Sequence, residues 1–290
     1  MFSKTAPYYD TIYGFKDYKA EAETLIRLIN RNRPNGSKRP PAKRVALNSP
    51  HSGGFKVGTS VLTSLGSRTT GRASGLKINH LLDVACGTGQ HITHLKSHFQ
   101  VEGLDLDDEL LSVARERHPD ITFHKGDMTS FGLNNTYDVM TCLFSSIGYV
   151  RTLENLNQAV ATMAHHLKPG GLLIIEPWLT PDAVKPDVPY AVFVDDPNLK
   201  IARINTTKIA GRLSLFTFHY LIGTPEGTEH LVEEHILGLF TTDEMTAAFH
   251  NAELTVTYDP DGLTGRGLYI GKKGELNRTT ETLEIDNIII

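Results

Sequence analysis

The sequence has few cysteines and no large excess of charge, and each scarcity excludes a class of protein. Its 290 residues include 2 cysteines, too few for the disulfide scaffold of a small secreted protein. Cys86 and Cys142 both fall in segments predicted to be interior strands, which favours a reducing, cytoplasmic location. The formal net charge of -4 gives no global basic field, so a nucleic-acid-binding protein is not expected.

Long apolar runs are absent as well. No stretch reaches the roughly 18 to 20 apolar residues that span a bilayer, and the residues after Met1 form no apolar signal region. We therefore expect a soluble protein with no membrane partner. The apolar content of 40% suffices for one buried core of ordinary size, alone or with a subdomain.

The most informative feature is a glycine turn that follows a short apolar strand and opens a helix. Gly87 and Gly89 flank one small residue, so the backbone can turn sharply and approach a ligand closely. Asp105 ends the next apolar run, where a carboxylate can bind ribose hydroxyls. The third glycine of the dinucleotide fingerprint is missing, because Ile92 stands in its place. The turn therefore predicts a nucleotide-type ligand other than a dinucleotide.

Periodicity predicts an α/β protein. Residues 17–31 have an apolar stripe at helical spacing and are followed by Pro34. From residue 78 to about 180, strands alternate with helical stretches, which predicts parallel β-α-β units that bind ligands at the carboxyl ends of their strands. Alternating segments and hairpin turns predict an inserted antiparallel sheet within 181–240, and residues 241–271 are predicted to return the chain to the main sheet.

Two segments differ from this pattern. Residues 34–77 contain eight lysines or arginines and no acid, in a background rich in Gly, Ser, Thr and Pro. Such a stretch buries too little to offset its ordering entropy, so we interpret it as a basic low-complexity loop insertion; a basic arm that binds a partner is the alternative. Residues 272–290 form a tail without a known motif.

Four motifs resemble, in the same order, those of class I S-adenosylmethionine-dependent methyltransferases. They are Asp83-Val84-Ala85-Cys86-Gly87-Thr88-Gly89, Gly126-Asp127-Met128 after a short strand, the strand Tyr137–Phe144, and the turn Leu167–Gly171 before the strand Leu172–Ile175. The resemblance implies the doubly wound sheet of that class, with the antiparallel β subdomain inserted, and S-adenosylmethionine as the cofactor.

Further runs narrow the resemblance to the TDP-amino-sugar N,N-dimethyltransferases that complete desosamine and mycaminose in antibiotic biosynthesis. They are Tyr9-Asp10, Lys16-Asp17-Tyr18, Phe144-Ser145-Ser146-Ile147-Gly148-Tyr149, Glu176-Pro177-Trp178 and Gly265-Arg266-Gly267-Leu268. The chain departs from the family in its basic segment and at Leu179, where a second large aromatic residue is usual. These departures leave the exact acceptor open.

The resemblance implies a role for each of a set of residues. Residues 1–33 would cover the cofactor, residues 78–180 would bind it, and the inserted sheet would bind the acceptor. The implied cofactor-binding residues are Tyr9, Tyr18, Ala85, Gly87, Asp105, Leu106, Asp127, Met128 and Leu143. The implied acceptor-binding residues are Ser145, Ser146, Trp178, Arg203, His219, His235 and Arg266, and Tyr149 would orient the amine or accept its proton. The alternative interpretation is an ordinary turn, lid or sheet-surface position for each polar residue.

No metal site is predicted. His91, His94 and His98 fall on one predicted helical face, but no cysteine or acid joins them at ligand spacing. Asp105, Asp107 and Asp108 are interpreted as a strand end followed by a helix cap.

The sequence leaves three functions open. They are methylation of a nucleotide-linked amino sugar, methylation of another small amine or hydroxyl, and cofactor binding by a non-catalytic subunit. A small-molecule acceptor and a possible homodimer are the expected partners.

Overall fold

The computed structural model describes residues 5–32 and 80–275. The basic segment and the tail from residue 276 onward lie outside these ranges, so their predicted character stays a prediction. The strands are β1 (His80–Val84), β2 (Gln100–Asp105), β3 (Thr122–Lys125), β4 (Tyr137–Cys142), β5 (Leu167–Ile175), β6 (Pro189–Asp196), β7 (Leu199–Ala210), β8 (Leu213–Thr224), β9 (Gly227–Gly238), β10 (Leu254–Asp259) and β11 (Leu268–Lys273).

Four of the six described α-helices begin at a residue whose side chain caps them. The helices are α1 (Tyr9–Ile12), α2 (Tyr18–Arg31), α3 (Gln90–Leu95), α4 (Asp108–Arg117), α5 (Leu153–His165) and α6 (Thr242–Asn251), with a 3-10 helix at Ala6–Tyr8 and another at Ser146–Val150. Asp17 caps α2, and Asp107 caps α4 by accepting from the amides of Glu109 and Leu110, which confirms the cap interpretation. Thr241 and Glu244 form a capping box at α6.

Seven strands form the main sheet in the order β10-β11-β5-β4-β1-β2-β3. β1 pairs in parallel with both β2 and β4, while β11 runs antiparallel to β5 and β10. Apolar side chains of α5 and α6 cover one face of this sheet, and those of α2, α3 and α4 cover the other. The predicted doubly wound α/β fold is confirmed, and the carboxyl ends of β1, β2, β4 and β5 meet at one edge.

The remaining strands form a separate antiparallel sheet in the order β6-β7-β8-β9. One face, here called the inner face, carries Ile201, Tyr220 and Ile222, which pack with Ile12 and Tyr13 from the N-terminal segment. The predicted insertion of an antiparallel sheet is therefore confirmed.

Several boundaries differ from the predictions. The predicted turn at 167–171 belongs to β5, which absorbs Gly170 at φ 78° and a register shift against β4. β11 continues to Lys273, two residues into the predicted tail. α3 ends at Leu95, so His98 lies beyond it and the three histidines do not share a helical face. Among the described residues, no helix has the length and apolarity to cross a membrane.

Candidate active site

The glycine turn after β1 has a left-handed backbone at three positions. Ala85, Gly87 and Gly89 have φ values of 56°, 55° and 74°. A Cβ added to Gly87 would meet no atom within 4 Å, whereas one added to Gly89 would lie 3.1 Å from the His118 ring. Gly87 therefore borders open space and Gly89 borders packed protein, which separates a ligand-facing glycine from a structural one.

The carboxylate of Asp105 holds this turn in place. Its Oδ2 accepts from the amide of Gly87 at 2.7 Å and its Oδ1 from the amide of Asp107 at 2.9 Å. Burial raises the pKa of Asp105 above its ordinary value, although the backbone donors oppose the shift. Asp105 thus couples the turn after β1 to the start of α4, at the strand end where the sequence predicts a ribose-binding acid.

Asp83, at the end of β1, is a buried acid with a spare acceptor. Its Oδ1 accepts from Thr141 Oγ1 at 2.6 Å, while Oδ2 has no hydrogen-bond partner among the described residues. Burial raises the pKa of Asp83. Asp83 lines a cavity together with Tyr9, Tyr18 and Leu143. A buried acceptor of this kind fits a cationic ammonium group of a ligand.

The N-terminal segment is attached to the glycine turn by Asp10. The Asp10 carboxylate accepts from Thr88 Oγ1 at 2.6 Å and pairs with the Arg117 guanidinium, which also donates to the Thr88 carbonyl. Burial raises the pKa values of the neighbouring Tyr9 and Tyr18 hydroxyls, so both are neutral donors at physiological pH. The segment thus places two phenols over the cavity.

A lysine and a glutamate form an ion pair next to the Tyr18 ring. Lys16 Nζ lies 2.8 Å from Glu21 Oε1 and 3.9 Å from the centroid of the Phe144 ring. Glu21 Oε2 lies 2.9 Å from His91 Nε2, which places the histidine in a hydrogen-bond network with α2.

The segment after β4 has a strained backbone and is fixed by hydrogen bonds to Glu176 and Pro177. Phe144 and Ser145 have φ values of 50° and 65°, in a region that L-residues seldom adopt. The buried Glu176 accepts from the Phe144 amide at 2.7 Å and from Thr264 Oγ1 at 2.5 Å. Ser145 Oγ donates to the Pro177 carbonyl at 2.8 Å.

The side chain of Arg266, in the loop before β11, contacts the segment after β4. Its Nη1 donates to Ser145 Oγ at 3.0 Å, and its guanidinium carbon lies 5.6 Å and 5.4 Å from the ring centroids of Phe144 and Trp178. Trp178 Nε1 donates in turn to Ser214 Oγ on β8 at 3.0 Å. No ion pair joins Arg266 to a carboxylate within residues 5–32 and 80–275.

The inner face of the second sheet contributes the opposite wall. Tyr149 Oη lies 2.8 Å from His235 Nδ1, and the His235 ring centroid lies 5.0 Å from that of Phe218. Arg203 is buried with its guanidinium carbon 5.2 Å from the Tyr13 ring centroid and 5.1 Å from that of Phe218. Its Nε and Nη1 have no hydrogen-bond partner in the part of the chain that is described.

Most, but not all, of the predicted residues gather at this edge. His219 lies on the outer face of the second sheet, exposed and stacked on His230 at 5.4 Å. This placement disagrees with its expected pocket role, because neighbouring residues on a strand point to opposite faces. Ser146 lines the cavity of Asp83 and Tyr9 rather than the wall that His235 forms.

The predicted adenine side is more open. Leu106 is 51% exposed at the end of β2, and Met128 packs partly against the core. Asp127 is exposed, and its Oδ1 accepts from the amide and hydroxyl of Thr129, as in the turn that was its alternative interpretation. These contacts leave its predicted role as an adenine ligand untested.

Comparisons with known proteins agree with this geometry. Residues 81–171 match the family described as Methyltransferase domain. Over 205 residues the chain is 38% identical to the dTDP-3-amino-3,6-dideoxy-alpha-D-glucopyranose N,N-dimethyltransferase of Streptomyces fradiae, covering 70% of this chain and 80% of the relative. This chain belongs to the dTDP-amino-sugar N,N-dimethyltransferase family.

Solved structures of methyltransferases share the whole fold. DesVI of Streptomyces venezuelae aligns with a TM-score of 0.75 and 32% identity, over 93% of this chain and 99% of DesVI. CalS10 with bound S-adenosylmethionine, an amino pentose methyltransferase from Micromonospora echinaspora involved in calicheamicin biosynthesis, aligns with a TM-score of 0.71 and 29% identity, over 91% of this chain and 96% of CalS10. The chain is therefore an S-adenosylmethionine-dependent methyltransferase. The open space at Gly87 fits that cofactor, as does the Asp83 oxygen that has no hydrogen-bond partner within the described ranges.

Sequence reasoning assigned no role to three buried acids near this edge. Asp83 and Glu176 stand inside the quoted motifs but had no assigned role, and Glu233 had none either. The structure shows them as buried carboxylates at 2%, 0% and 6% exposure. A buried acid with few partners is a signal of function, but burial follows from tertiary packing and no local pattern reports it.

Proposed function

We propose that this methyltransferase transfers methyl groups from S-adenosylmethionine to the amino group of a nucleotide-linked amino sugar, as its relatives' names describe for them. The observation that carries the proposal is Arg266. A partly buried guanidinium stands between the Phe144 and Trp178 rings with one side-chain hydrogen bond and no carboxylate partner among the described residues. Such a cation fits the pyrophosphate of a nucleotide-linked acceptor.

The cofactor would lie over the carboxyl ends of β1, β2 and β4. Asp83 would take the methionine ammonium, with Tyr9 and Tyr18 above it and the backbone of Ala85 and Gly87 beside it. Asp105 would accept from the ribose hydroxyls once its backbone contacts adjust, and Leu106, Asp127, Met128 and Leu143 would border the adenosine. The positions of these residues at one sheet edge support this arrangement.

These residues would act mainly by positioning the cofactor and the acceptor relative to each other. When bound, the cofactor supplies an electrophilic methyl group, and the acceptor must present an uncharged nitrogen about 3 to 3.5 Å away. The strained Phe144-Ser145 segment separates the cofactor cavity from the second sheet and can hold the two ligands in line. The ring centroids of Tyr13 and Phe144 lie 5.3 Å apart, and Arg203 contacts both Tyr13 and Phe218, so these three rings would help to keep water away from the reacting groups.

The deciding experiment is incubation of the purified chain with labelled S-adenosylmethionine and a panel of acceptors. The panel contains TDP-linked sugars with the amine at C-3 or C-4, the same sugars without the nucleotide, and simple amines and phenols. We expect transfer to a TDP-amino sugar, with mono- and dimethylated products resolved by mass spectrometry. Preference for a free amine or a hydroxyl would support the second function, and cofactor binding without any transfer would support the third.

We further propose a homodimer that uses the outer face of the second sheet. Phe193, Ile204, Leu221 and Val232 are 71%, 47%, 53% and 40% exposed there, and the strand register places them diagonally to one another in two neighbouring rows that also hold Ala202 and His219. An apolar patch of this kind fits a second copy of the same patch. Light scattering of the native chain and of a Leu221→Glu variant tests this.

A cytoplasmic location is also proposed, since both cysteines are free thiols.

A further inference from the structure

A row of polar side chains leads away from the acceptor side of the site. Tyr149 Oη lies within hydrogen-bond distance of His235 Nδ1, at 2.8 Å, and His235 Nε2 lies 3.6 Å from Glu233 Oε2, which is within ion-pair distance but longer than a hydrogen bond. Thr5 Oγ1 lies 3.0 Å and 2.9 Å from the two oxygens of Glu233. His235 and Glu233 are 2% and 6% exposed, so the row ends inside the protein.

We propose that Tyr149, His235 and Glu233 form a proton path that removes the proton from the acceptor amine. Tyr149 would touch the amine, and His235 and Glu233 would act through it as positioning residues. The proposal rests on the proposed function, because it requires an amine as the acceptor. It assigns Glu233 a role that neither the motifs nor the cofactor site accounts for.

The reaction needs such a path because a protonated amine has no lone pair. An amine flanked by hydroxyls on a sugar resembles an α-amino group, with a pKa of about 8, so most of it is ammonium at neutral pH. In the proposed step an N–H bond of the ammonium breaks and its proton goes to Tyr149 Oη. The phenol proton moves at the same time to His235 Nδ1, which leaves a neutral amine, a neutral phenol and an imidazolium.

The surroundings suit this transfer. Burial raises the pKa of Tyr149 well above its ordinary value, so the phenol passes a proton on rather than remaining ionised. The Glu233 carboxylate lies within ion-pair distance of Nε2, where the imidazolium formed by the step would carry its other proton. The other titratable or charged groups that face this row are Tyr9 and Tyr13 from the N-terminal segment, Arg203 from β7, Tyr220 from β8 and Asp105 from β2.

The path makes a specific demand on the histidine tautomer. Nδ1 accepts from Tyr149 only if the neutral ring carries its hydrogen on Nε2, which faces Glu233. Nitrogen-15 NMR of the histidine-labelled chain measures this directly, with a His235→Asn variant to assign the resonance. We expect the Nε2–H tautomer and a shift of the Nδ1 signal in Tyr149→Phe. A neutral ring protonated on Nδ1 would overturn the proposal, whatever the acceptor proves to be.

The pH profile tests the path in turnover. Without Tyr149 the enzyme must take the neutral amine from solution, whose fraction falls tenfold per pH unit below a pKa of about 8. We therefore expect kcat/KM for the acceptor in Tyr149→Phe to lie about tenfold below wild type at pH 7, with a deficit that shrinks as the pH rises. The two profiles should meet near pH 9. His235→Asn should behave in the same way.

Controls separate the possible failures. His165→Asn removes an exposed histidine at the end of α5 and should follow wild type at each pH. Calorimetry should give unchanged S-adenosylmethionine affinity in the Tyr149 and His235 variants, which shows that they fold. Parallel profiles, lowered equally at every pH, would overturn the proton path while leaving the proposed function intact. Absence of transfer to any amine would instead refute the proposed function. The NMR measurement of the His235 tautomer would still show whether Tyr149, His235 and Glu233 are arranged as the proton path requires.

Discussion

The carboxylate of Glu176 accepts a hydrogen bond of 2.7 Å from the backbone amide of Phe144, 32 residues earlier in the chain. Its second oxygen accepts from Thr264 Oγ1, two residues before Arg266. One fully buried side chain therefore fixes both the strained segment after β4 and the loop that presents the guanidinium. This shared anchor couples the cofactor cavity to the acceptor side.

We expect Glu176→Ala to damage acceptor binding more than cofactor binding. Loss of the carboxylate leaves the Phe144 amide buried without an acceptor, at a cost of about 1 to 3 kcal/mol in the free energy of unfolding. Glu176→Gln keeps one carbonyl acceptor and should lose less stability. Thermal unfolding measures the first effect, and KM for each ligand measures the second. A variant with normal acceptor KM would show that the segment keeps its shape without this anchor.

Gly87→Ala should weaken cofactor binding beyond its effect on stability. The added methyl group would point into the open space where the cofactor is proposed to lie, at a φ of 55° that strains any L-residue. Gly211→Ala is the matched control, since Gly211 has φ 59° and open space in a hairpin turn. We expect similar losses of stability but an S-adenosylmethionine Kd about tenfold higher only in Gly87→Ala. Equal Kd values in both variants would argue against this location for the cofactor.

The sequence predicted the order of strands and helices because each has local signals. The turn at Gly87 and the cap at Asp107 need only a few adjacent residues to be visible. The alternation is weaker in β9, because Glu233 and His235 occupy inner-face positions and its buried face is therefore not uniformly apolar.

Side-chain partners required the tertiary structure. Tyr149 and His235 are 86 residues apart, and no spacing rule connects them. His219 and His235 both stand on predicted alternating segments, but the face each presents depends on strand register, which a single sequence does not fix.

Acid should destabilise the fold partly through Glu102. Burial opposes ionisation of this carboxyl group, but hydrogen bonds with His124, His80 and Tyr137 outweigh that effect and lower its pKa below the ordinary value. A lowered folded-state pKa gives stability that is present above the unfolded value, about 4.3, and is lost as the pH falls through the folded value. Melting temperatures between pH 7 and pH 3 should therefore fall less steeply for Glu102→Gln than for wild type. Identical slopes below pH 5 would contradict this role.

Arg266→Ala should raise KM for a nucleotide-linked acceptor far more than KM for S-adenosylmethionine. Truncating one partner of a desolvated charge pair costs about 2 to 5 kcal/mol, which corresponds to roughly 30-fold or more in affinity. Arg266→Lys should recover only part of the loss, because an ammonium cannot reproduce the planar fork that also meets Ser145.

The matched control for this prediction is Arg27→Ala, an exposed arginine of α2 whose side chain is 59% accessible and which should leave both KM values unchanged. The same amino sugar without its nucleotide gives the second comparison, since its KM should be indifferent to Arg266 if the guanidinium binds pyrophosphate. An equal rise in KM for the free and the nucleotide-linked sugar would place Arg266 against the sugar ring instead. No change for either would favour a small amine as the acceptor.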